Sequence, residues 1–174
     1  MKRDDEVFIR EMKVCDVEAL IKTFCFPWST MEKTLEKWTG YSTQHQKNIR
    51  TVYLLEKQGQ IIGYASLLRV SEYPDFKSSG IPEINDLWVS QAWRNKGFGK
   101  MSVLHLEEIA RMEGYKQIGL GVGLYKDYGA AQILYFKLGY LPDGKGITHQ
   151  GVHVVTGKHY PVDDDLILWL CKPL

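Results

Sequence analysis

Residues 83 to 108 combine side chains that can move a proton with a loop that can hold an anion. The loop itself, residues 94 to 100, reads RNKGFGK and carries three basic side chains and two glycines. Glycines let the backbone turn so that the free amides at the start of a helix converge on an anion. Basic side chains add positive charge to such a site. The loop therefore predicts a phosphate-binding segment.

Two common nucleotide-binding motifs do not fit this loop. A Walker loop requires GxxxxGK followed by Ser or Thr, and this pattern is absent from the sequence. A Rossmann fingerprint would require a third glycine where Ser102 stands. On the loop alone, a glycine-containing helix start with solvated basic residues is the alternative interpretation.

Hydrophobic periodicity predicts the elements that lead into the loop. The run VFIRE is typical of a short strand, and two amphipathic helices follow it, the first ending before Pro27. Ser29 and Glu32 form a capping-box pattern for the second helix, which we expect to fade near Gly40. The run TVYLLEKQGQIIGYASLLRV then predicts a β-hairpin, and EINDLWV predicts the next strand.

The elements after the loop are predicted in the same way. An apolar stripe with steps of three and four residues indicates a helix that stops near Gly114. The stripe consists of Phe98, Met101, His105, Ile109 and Met112. The run KQIGLGVG is typical of a strand, and the helix after it is closed by Lys137 and Gly139. An extended excursion or hairpin with a turn at Thr156 and Gly157 then precedes the last strand, DLILWL.

This order of elements predicts an α/β fold with a mixed sheet. Strand–helix–strand connections between residues 83 and 122 require a parallel strand pair, and a binding crevice belongs at the carboxyl end of such strands. The chain has 174 residues, of which 44% are hydrophobic and 12% aromatic, and it contains no linker or repeat. We therefore expect a single domain over residues 1–174.

Composition narrows the class of partner. Lysine and arginine total 22 against 21 for aspartate and glutamate, so the net charge favours neither nucleic acid nor an anionic membrane. No run approaches the ~18 apolar residues of a membrane span, and no apolar signal region follows the N-terminus. Cys15, Cys25 and Cys171 lack the spacing of a zinc site or disulfide framework. We expect a cytoplasmic protein, monomeric or homodimeric, without nucleic-acid or membrane partners.

Two motifs in the same chain order then give a specific resemblance. RNKGFG resembles the [QR]-x-x-G-x-[GA] signature of GNAT-family acyltransferases, placed between a strand and an amphipathic helix as in that family. Downstream, YGAAQILYFKLGY is similar to the family's second motif, a helix that carries a tyrosine and ends in Leu-Gly-aromatic. The resemblance covers residues 51 to 141. It implies the GNAT fold, a twisted, mostly antiparallel sheet with one splayed parallel strand pair and flanking helices.

The resemblance implies acetyl-CoA as the co-substrate. The loop would bind the pyrophosphate mainly through backbone amides, and its residues are Arg94, Asn95, Lys96, Gly97, Phe98, Gly99 and Lys100. The backbone of Leu87, Trp88 and Val89 would pair with the pantetheine amides like an added strand. Tyr128 stands where many relatives carry an asparagine that contacts the cofactor. Tyr128 is therefore a candidate cofactor contact, but its tyrosine departs from the family pattern.

A groove for the thioester is also implied by the resemblance. In the family the two parallel strands splay apart, and the thioester enters the wedge between them. Gly119, Gly121 and Gly123 fall on one face of the second strand. Their lack of side chains would let a ligand approach the backbone closely, whereas the alternative interpretation is a flexible strand end.

Catalytic roles follow from the same resemblance. Glu83 lies where the histone-acetylating branch of the family carries its base, and Asp86 is the competing candidate. Strand alternation puts these two acids on opposite faces, although a bulge of the kind this family has would change that parity. Tyr135 matches the tyrosine that protonates the leaving thiolate. Because Tyr135 shares a helix face with Ala131 and Leu138, a core aromatic is the alternative.

No metal is expected at the site. The five histidines do not pair with cysteine or an acid at the spacing of metal ligands, and His105 belongs to a helix stripe. The acids at 163 to 165 could attract a cationic acceptor, but an acidic turn before a strand explains them as well.

The predicted function is an N-acetyltransferase that acts on a primary amine of a small molecule. In the family, segments 24 to 41 and 142 to 165 flank the acceptor side and could close over a small substrate. The alternatives are a protein N-terminal or lysine acetyltransferase, which would need an open peptide groove, and a non-catalytic acyl-CoA sensor. The sequence does not name the amine.

Overall fold

The computed structural model describes residues 7–174, which contain eight strands and five α-helices. The strands are β1 (Val7–Glu11), β2 (Arg50–Lys57), β3 (Gln60–Leu68), β4 (Glu83–Val89), β5 (Gln117–Gly123), β6 (Leu141–His149), β7 (Val152–His153) and β8 (Leu166–Pro173). The helices are α1 (Val17–Thr23), α2 (Met31–Gln46), α3 (Pro74–Ser79), α4 (Phe98–Met112) and α5 (Gly129–Lys137). None of the helices within residues 7–174 has the length and apolar character of a membrane span.

The chain divides into two compact units, and each is described by itself. The first unit consists of Met1–Leu68 and Asp86–Ser102, and the second of Arg69–Asn85 and Val103–Leu174. Strand β4 and helix α4 each contribute residues to both units. The single domain expected from the sequence stays a prediction.

The first unit is built on the antiparallel strands β1, β2 and β3, in that order. The predicted hairpin joins β2 to β3, and its turn residues Gln58 and Gly59 both have positive φ, as a tight two-residue hairpin turn requires. Helices α1 and α2 cover this sheet with a core that includes Leu20, Phe24, Trp38, Leu54 and Tyr64. The predicted hairpin is therefore confirmed.

Helix α2 differs from its prediction at both ends. Its N-cap is Thr30, whose hydroxyl accepts a hydrogen bond from the Lys33 amide at 3.1 Å, so Ser29 does not cap the helix. The helix does not fade at Gly40 but continues to Gln46. Burial of Trp38 and Ser42 on one face extends the packed stripe past the glycine, and this packing outweighs its low helix propensity.

The second unit contains the parallel pair that the sequence predicted. Its strand order is β4-β5-β8-β6-β7. Strands β4 and β5 run parallel, with Glu83 opposite Gly119 and Ile84 opposite Leu120, whereas the pairs of β8 with β5 and β6 and of β6 with β7 are antiparallel. The prediction of a mixed α/β fold with one parallel pair is confirmed.

One helix of the second unit was not predicted, whereas the late turn was. The short helix α3 was missed because six residues starting at Pro74 are too few to show a helical period. The late excursion contains a hairpin of β6 and β7, whose turn lies at Gln150 and Gly151, both with positive φ. The predicted turn at Thr156 and Gly157 is also present, with Gly157 at φ of 82° and the Lys158 amide donating to the Val155 carbonyl at 3.1 Å, so this prediction is confirmed.

The buried face of α4 in the second unit is also rotated from the predicted stripe. Val103, Leu106 and Ala110 are fully buried, whereas Met112 is 75% exposed. Glu107 lies on the buried face with 1% exposure because Lys172 on β8 pairs with its carboxylate at 2.8 Å. Hydrophobicity alone does not predict a buried glutamate. The predicted buried face of α4 was therefore rotated about the helix axis from the face that is buried in the structure.

Candidate active site

The loop before α4 turns through two residues in the left-handed region. Asn95 has φ of 60° and Gly97 has φ of 86°, and the second value explains why a glycine stands there. The first hydrogen bond of α4 runs from the Met101 amide to the Gly97 carbonyl at 3.0 Å. The amides of residues 98 to 100 therefore precede this bond, in the position where helix starts bind anions.

Two of the three basic side chains of the loop lie against aromatic rings. The Arg94 guanidinium is 4.4 Å from the Trp88 ring centre, and its Nε donates to the Val89 carbonyl at 3.0 Å. The Lys96 ammonium lies 4.7 Å from the Trp93 ring centre. These contacts hold charge beside the loop, while the backbone amides supply the hydrogen-bond donors for an anion.

One edge of the C-terminal half of β4 lies against residues 62 and 63 of β3, within the first unit. The Ser90 amide donates to the Ile62 carbonyl at 2.9 Å. A Cβ at Gly63 would lie 2.6 Å from the Trp88 carbonyl oxygen, so the chain approaches closely here and needs glycine. Pairing of residues 87 to 89 with pantetheine amides stays a prediction.

Asp86 interrupts strand β4 with a left-handed φ of 52°. This conformation breaks the regular strand alternation that would put Glu83 and Asp86 on opposite faces of the sheet. Aspartate tolerates a positive φ better than most residues. The Asp86 carboxylate is 2.6 Å from the Lys37 ammonium and accepts hydrogen bonds from Tyr41 at 3.0 Å and Tyr64 at 3.4 Å. Burial, and then the negative charge of Asp86, raise the pKa of Tyr64.

Glu83, at the start of β4, has a different environment in the second unit. Its side chain is buried, with 5% exposure. The Ser71 hydroxyl donates to Oε2 at 2.5 Å, and the Asn85 side-chain amide donates to Oε1 at 2.6 Å. Both of these donors are neutral groups.

Tyr135 lies on α5 and is buried, with 8% exposure. Burial raises the pKa of its hydroxyl to about 12. An alkyl thiol has a pKa near ~8.5, so complete transfer of the Tyr135 proton to a thiolate would be uphill by about 5 kcal/mol. The phenol is therefore better suited to donate a hydrogen bond to a thiolate than to give up its proton.

Tyr128 has structural partners in the second unit. Its hydroxyl donates to Asp164 at 3.0 Å, and its ring would lie 2.5 Å from a Cβ at Gly123. Whether the cofactor reaches this tyrosine stays a prediction.

The glycine groove expected along β5 was wrong, because side chains of the second unit fill the space. A Cβ at Gly119 would lie 2.2 Å from the Phe76 ring, and a Cβ at Gly121 would lie 3.0 Å from the Trp169 ring. With Tyr128 over Gly123, all three glycines admit aromatic rings of the same chain. The glycine pattern signals close packing of these rings.

Three possible metal ligands approach one another in the second unit. His149, Asp163 and Asp165 have ligand atoms within 4.8 Å of one another, and His149 Nε2 is 3.4 Å from Asp163 Oδ1. The sequence spacing had not suggested this cluster, since 14 to 16 residues separate the histidine from the acids. Metal independence of the enzyme stays a prediction.

Sequence reasoning missed the partners of both candidate bases. Ser71 is 12 positions from Glu83, and Lys37 is far from Asp86 in the chain. No local motif marks them, because each pairing is created by tertiary packing. Only the neighbouring Asn85 could have been suspected, through its position two residues after Glu83 on the same strand.

Solved structures share this fold over nearly the whole chain. An acetyltransferase from Salmonella typhimurium that modifies the N-terminal serine of ribosomal protein L7/L12 is 14% identical, with a TM-score of 0.68 over 97% of this chain and 95% of that chain. The PaiA N-acetyltransferase of Thermoplasma acidophilum, solved with coenzyme A, is 16% identical, with a TM-score of 0.66 over 97% and 99%. The ribosomal-protein-S18-alanine N-acetyltransferase of Escherichia coli is 20% identical, with a TM-score of 0.65 over 97% and 94%.

A family comparison agrees with the fold and with both motifs. No curated protein matches the chain. The family model of the acetyltransferase (GNAT) family matches residues 16–140, which is well over half of the chain and includes the loop and the helix α5. The use of acetyl-CoA as the co-substrate fits this match. The chain therefore belongs to the GNAT family of acetyltransferases.

Proposed function

We propose that this protein is an N-acetyltransferase that transfers the acetyl group of acetyl-CoA to a primary amine of a small molecule, with Glu83 as the base. The observation that carries the proposal is the Glu83 carboxylate, which is buried and accepts hydrogen bonds from Ser71 and Asn85. It begins the strand whose continuation leads into the anion-binding loop.

The reaction needs a base because an aliphatic ammonium has a pKa near ~10 and is almost wholly protonated at pH 7. Glu83 removes one proton, and its 5% exposure makes a single water the natural carrier. The amine nitrogen then attacks the thioester carbonyl, and the carbon–sulfur bond breaks to release the coenzyme A thiolate. The nitrogen loses its second proton as the amide forms, and through solvent this proton converts the thiolate to the thiol. Tyr135 donates a hydrogen bond to that sulfur.

Asp86 is less suited to this role. Its carboxylate is already paired with the Lys37 ammonium at 2.6 Å and with two phenols. A proton on Asp86 would remove the counter-charge of Lys37, which opposes proton uptake. We therefore assign Asp86 to the architecture of the first unit.

The loop supplies the co-substrate site in this proposal. The amides of residues 98 to 100 bind the pyrophosphate of acetyl-CoA, and Arg94, Lys96 and Lys100 add charge. A further contact of pantetheine with the backbone of residues 87 to 89 fits the role of an added strand.

The acceptor is proposed to be small because the segments 24 to 41 and 142 to 165 flank the acceptor side in this family. Within the second unit, the later segment is tied down by side chains, including Tyr73 to Asp143 at 2.9 Å and His153 to Asp75 at 3.0 Å. A protein N-terminus is the second candidate, since two of the similar structures are acetyltransferases of ribosomal-protein N-termini.

The test measures release of coenzyme A thiol from acetyl-CoA against polyamines, amino acids, aminoglycosides and short peptides with free N-termini. We expect turnover with a small amine. Turnover with peptides alone would transfer the assignment to the second candidate. Binding of acetyl-CoA without turnover on any amine would indicate an acyl-CoA sensor.

The co-substrate site has its own test. Calorimetry should show that acetyl-CoA and desulfo-coenzyme A bind with similar affinity, because the loop contacts pyrophosphate and not sulfur. Gly99→Val should weaken both by at least about tenfold, since a β-branched side chain stands in the cradle. Gly40→Val is the matched control, because a Cβ at Gly40 meets nothing within 4 Å. Failure of both ligands to bind at millimolar concentration would refute the proposed site.

A further inference from the structure

The ammonium of Lys37, on α2 in the first unit, lies among three aromatic rings. Its Nζ is 4.9 Å from the ring centre of Tyr64, 5.3 Å from that of Trp38 and 5.6 Å from that of Tyr41. It also donates a hydrogen bond to the Tyr64 hydroxyl at 2.9 Å. Because ring faces attract a cation, these contacts hold a primary amine in a defined place at the end of a flexible side chain.

The Asp86 carboxylate fixes this amine against strand β4. Asp86 Oδ2 is 2.6 Å from the Lys37 Nζ and accepts a hydrogen bond from the Tyr41 hydroxyl at 3.0 Å. Asp86 is also the residue of β4 with the left-handed φ of 52°, so the amine lies at an irregularity of the strand. The two side chains of the ion pair are 30% and 29% exposed, so the pair is not sealed from solvent.

The ion pair lies on the side of β4 where the reactive end of acetyl-CoA is expected. In the proposed function the pyrophosphate binds at residues 98 to 100, and the pantetheine runs back along β4 from residue 89 to residue 87. The thioester is at the end of the pantetheine that is remote from the pyrophosphate. A strand advances by about 3.3 Å per residue, so Asp86 stands one such step beyond Leu87, toward the thioester. Lys37, Asp86 and the loop all belong to the first unit.

We propose that Lys37 is a modification site of the enzyme itself, whose Nζ attacks the thioester of acetyl-CoA bound to the same molecule and becomes acetylated. This inference rests on the acetyl-CoA site of the proposed function. It adds a protein-borne primary amine to the acceptors, on a helix that lies outside both sequence motifs.

The atoms and protons of this step balance. The Lys37 ammonium gives one proton to the Asp86 carboxylate, and the nitrogen then attacks the carbonyl carbon of the thioester. The carbon–sulfur bond breaks, and the second proton of the nitrogen reaches the coenzyme A thiolate through solvent. The products are acetyl-Lys37, the coenzyme A thiol and a proton that Asp86 returns to solvent.

Asp86 can accept this proton although it is poorly suited to accept one from a separate amine. Proton uptake from a separate amine would leave the Lys37 ammonium without its counter-charge. When the proton comes from Lys37 itself, both charges disappear together and no unpaired ion remains. The role of Asp86 in the architecture of the first unit is kept until the acetyl group arrives.

The test incubates the purified protein with acetyl-CoA in the absence of any added amine and follows each lysine by mass spectrometry of tryptic peptides. Trypsin does not cleave after acetyl-lysine, so the modification should produce a peptide of residues 34–47 with Lys37 intact. Lys33, which is exposed one turn earlier on α2, is the internal reference. Lys37 should be acetylated at least about tenfold faster than Lys33, because a held amine reacts within the complex. The rate should not depend on protein concentration.

Three variants locate the reaction. Gly99→Val, which obstructs the proposed pyrophosphate cradle, should slow the acetylation of Lys37 by at least about tenfold and leave that of Lys33 unchanged. Lys37→Arg keeps a cation but offers no nucleophilic amine, so it should lose the rapidly incorporated acetyl group. Lys33→Arg is the matched control and should incorporate acetyl as the wild type does. If a variant does not fold, the comparison of Lys37 with Lys33 in the wild type still decides.

The outcomes separate this inference from the proposed function. If small amines are turned over while Lys37 is acetylated no faster than Lys33, the inference is wrong and the proposed function stands. If Lys37 is acetylated rapidly while no small amine is turned over, the inference holds and the small-molecule acceptor fails. Rapid acetylation of Lys37 that Gly99→Val does not slow, or that accelerates with protein concentration, would overturn transfer from acetyl-CoA bound to the same molecule.

Discussion

Glu83 and Asp86 stand three residues apart on one strand, and the protein holds their carboxylates in opposite ways. Glu83 accepts hydrogen bonds from a serine and an asparagine, both neutral. Asp86 is paired with the Lys37 ammonium and accepts from two tyrosines, with about a third of each ion-pair side chain exposed. The first arrangement orients a carboxylate, whereas the second neutralises it.

The difference bears directly on proton uptake. Among the described contacts of Glu83, the Ser71 hydroxyl can rotate to suit a protonated carboxyl. Protonation of Asp86 would leave the Lys37 ammonium without its partner. The described ion pair of Asp86 is therefore the reason that Glu83 is proposed as the base of the two acids.

The largest effect is expected for Glu83→Gln. This substitution keeps the shape of the side chain and removes its basicity, so kcat at pH 7 should fall by about a hundredfold or more. The rate should recover in part as pH rises toward 10, because the amine then loses its proton in solution. Tyr135 does not confuse this experiment, since burial raises its pKa to about 12 and it remains protonated.

A matched control for this variant is Glu108→Gln on the exposed side of α4, where the side chain is 62% exposed. It should keep the wild-type rate and pH profile. A Glu83→Gln enzyme with the same profile as this control would remove Glu83 from the mechanism.

The next effect in size is expected for Tyr135→Phe. Loss of a hydrogen bond to a charged sulfur should lower kcat by about tenfold to a hundredfold, while acetyl-CoA affinity is unchanged. Tyr140→Phe is the control, because it removes another buried hydroxyl without a proposed role. Stopped-flow measurement of thiol release distinguishes the two variants. Equal rates for Tyr135→Phe and the wild type would show that Tyr135 is a core aromatic without a catalytic role.

The parts of the site that the sequence predicted are local in the chain. The loop before α4 could be identified because its glycines, basic residues and helix start are contiguous. The helix with Tyr135 ended where Lys137 and Gly139 indicated, and Gly139 has the positive φ of a helix stop. Periodicity and turn chemistry act over a few residues, so a sequence carries them directly.

The parts that could not be predicted depend on contacts between distant residues. The aromatic rings over Gly119, Gly121 and Gly123 made a supposed groove into a packed surface. The burial of Glu107 follows from Lys172, which lies 65 residues away. The partners of Glu83 and Asp86 belong to the same class, and these partners are what distinguish a candidate base from a structural acid.

A smaller effect on activity is expected for Asp86→Asn. Asparagine tolerates the left-handed φ of 52° at this position, so the backbone should be preserved. We expect kcat to stay within about threefold of the wild type and the free energy of unfolding to fall by about 1–2 kcal/mol, between the values for exposed and buried ion pairs. Urea denaturation and the pH profile measure the two quantities. A large, alkali-rescued defect in this variant, with Glu83→Gln unaffected, would reassign the base to Asp86.

The smallest effect is expected for the partner cation, and it separates an architectural ion pair from a catalytic one. Lys37→Met retains most of the aliphatic stem beside the rings of Trp38, Tyr41 and Tyr64 but removes the charge. A double-mutant cycle with Asp86→Asn should give a coupling of about 0.5–1 kcal/mol in unfolding free energy, because both side chains are partly exposed. The coupling should shrink in 1 M salt, where exposed charges are screened within about 3 Å. If Lys37→Met instead lowers kcat strongly while stability is unchanged, the pair of Lys37 and Asp86 takes part in the reaction. Asp86 would then no longer be assigned a purely structural role.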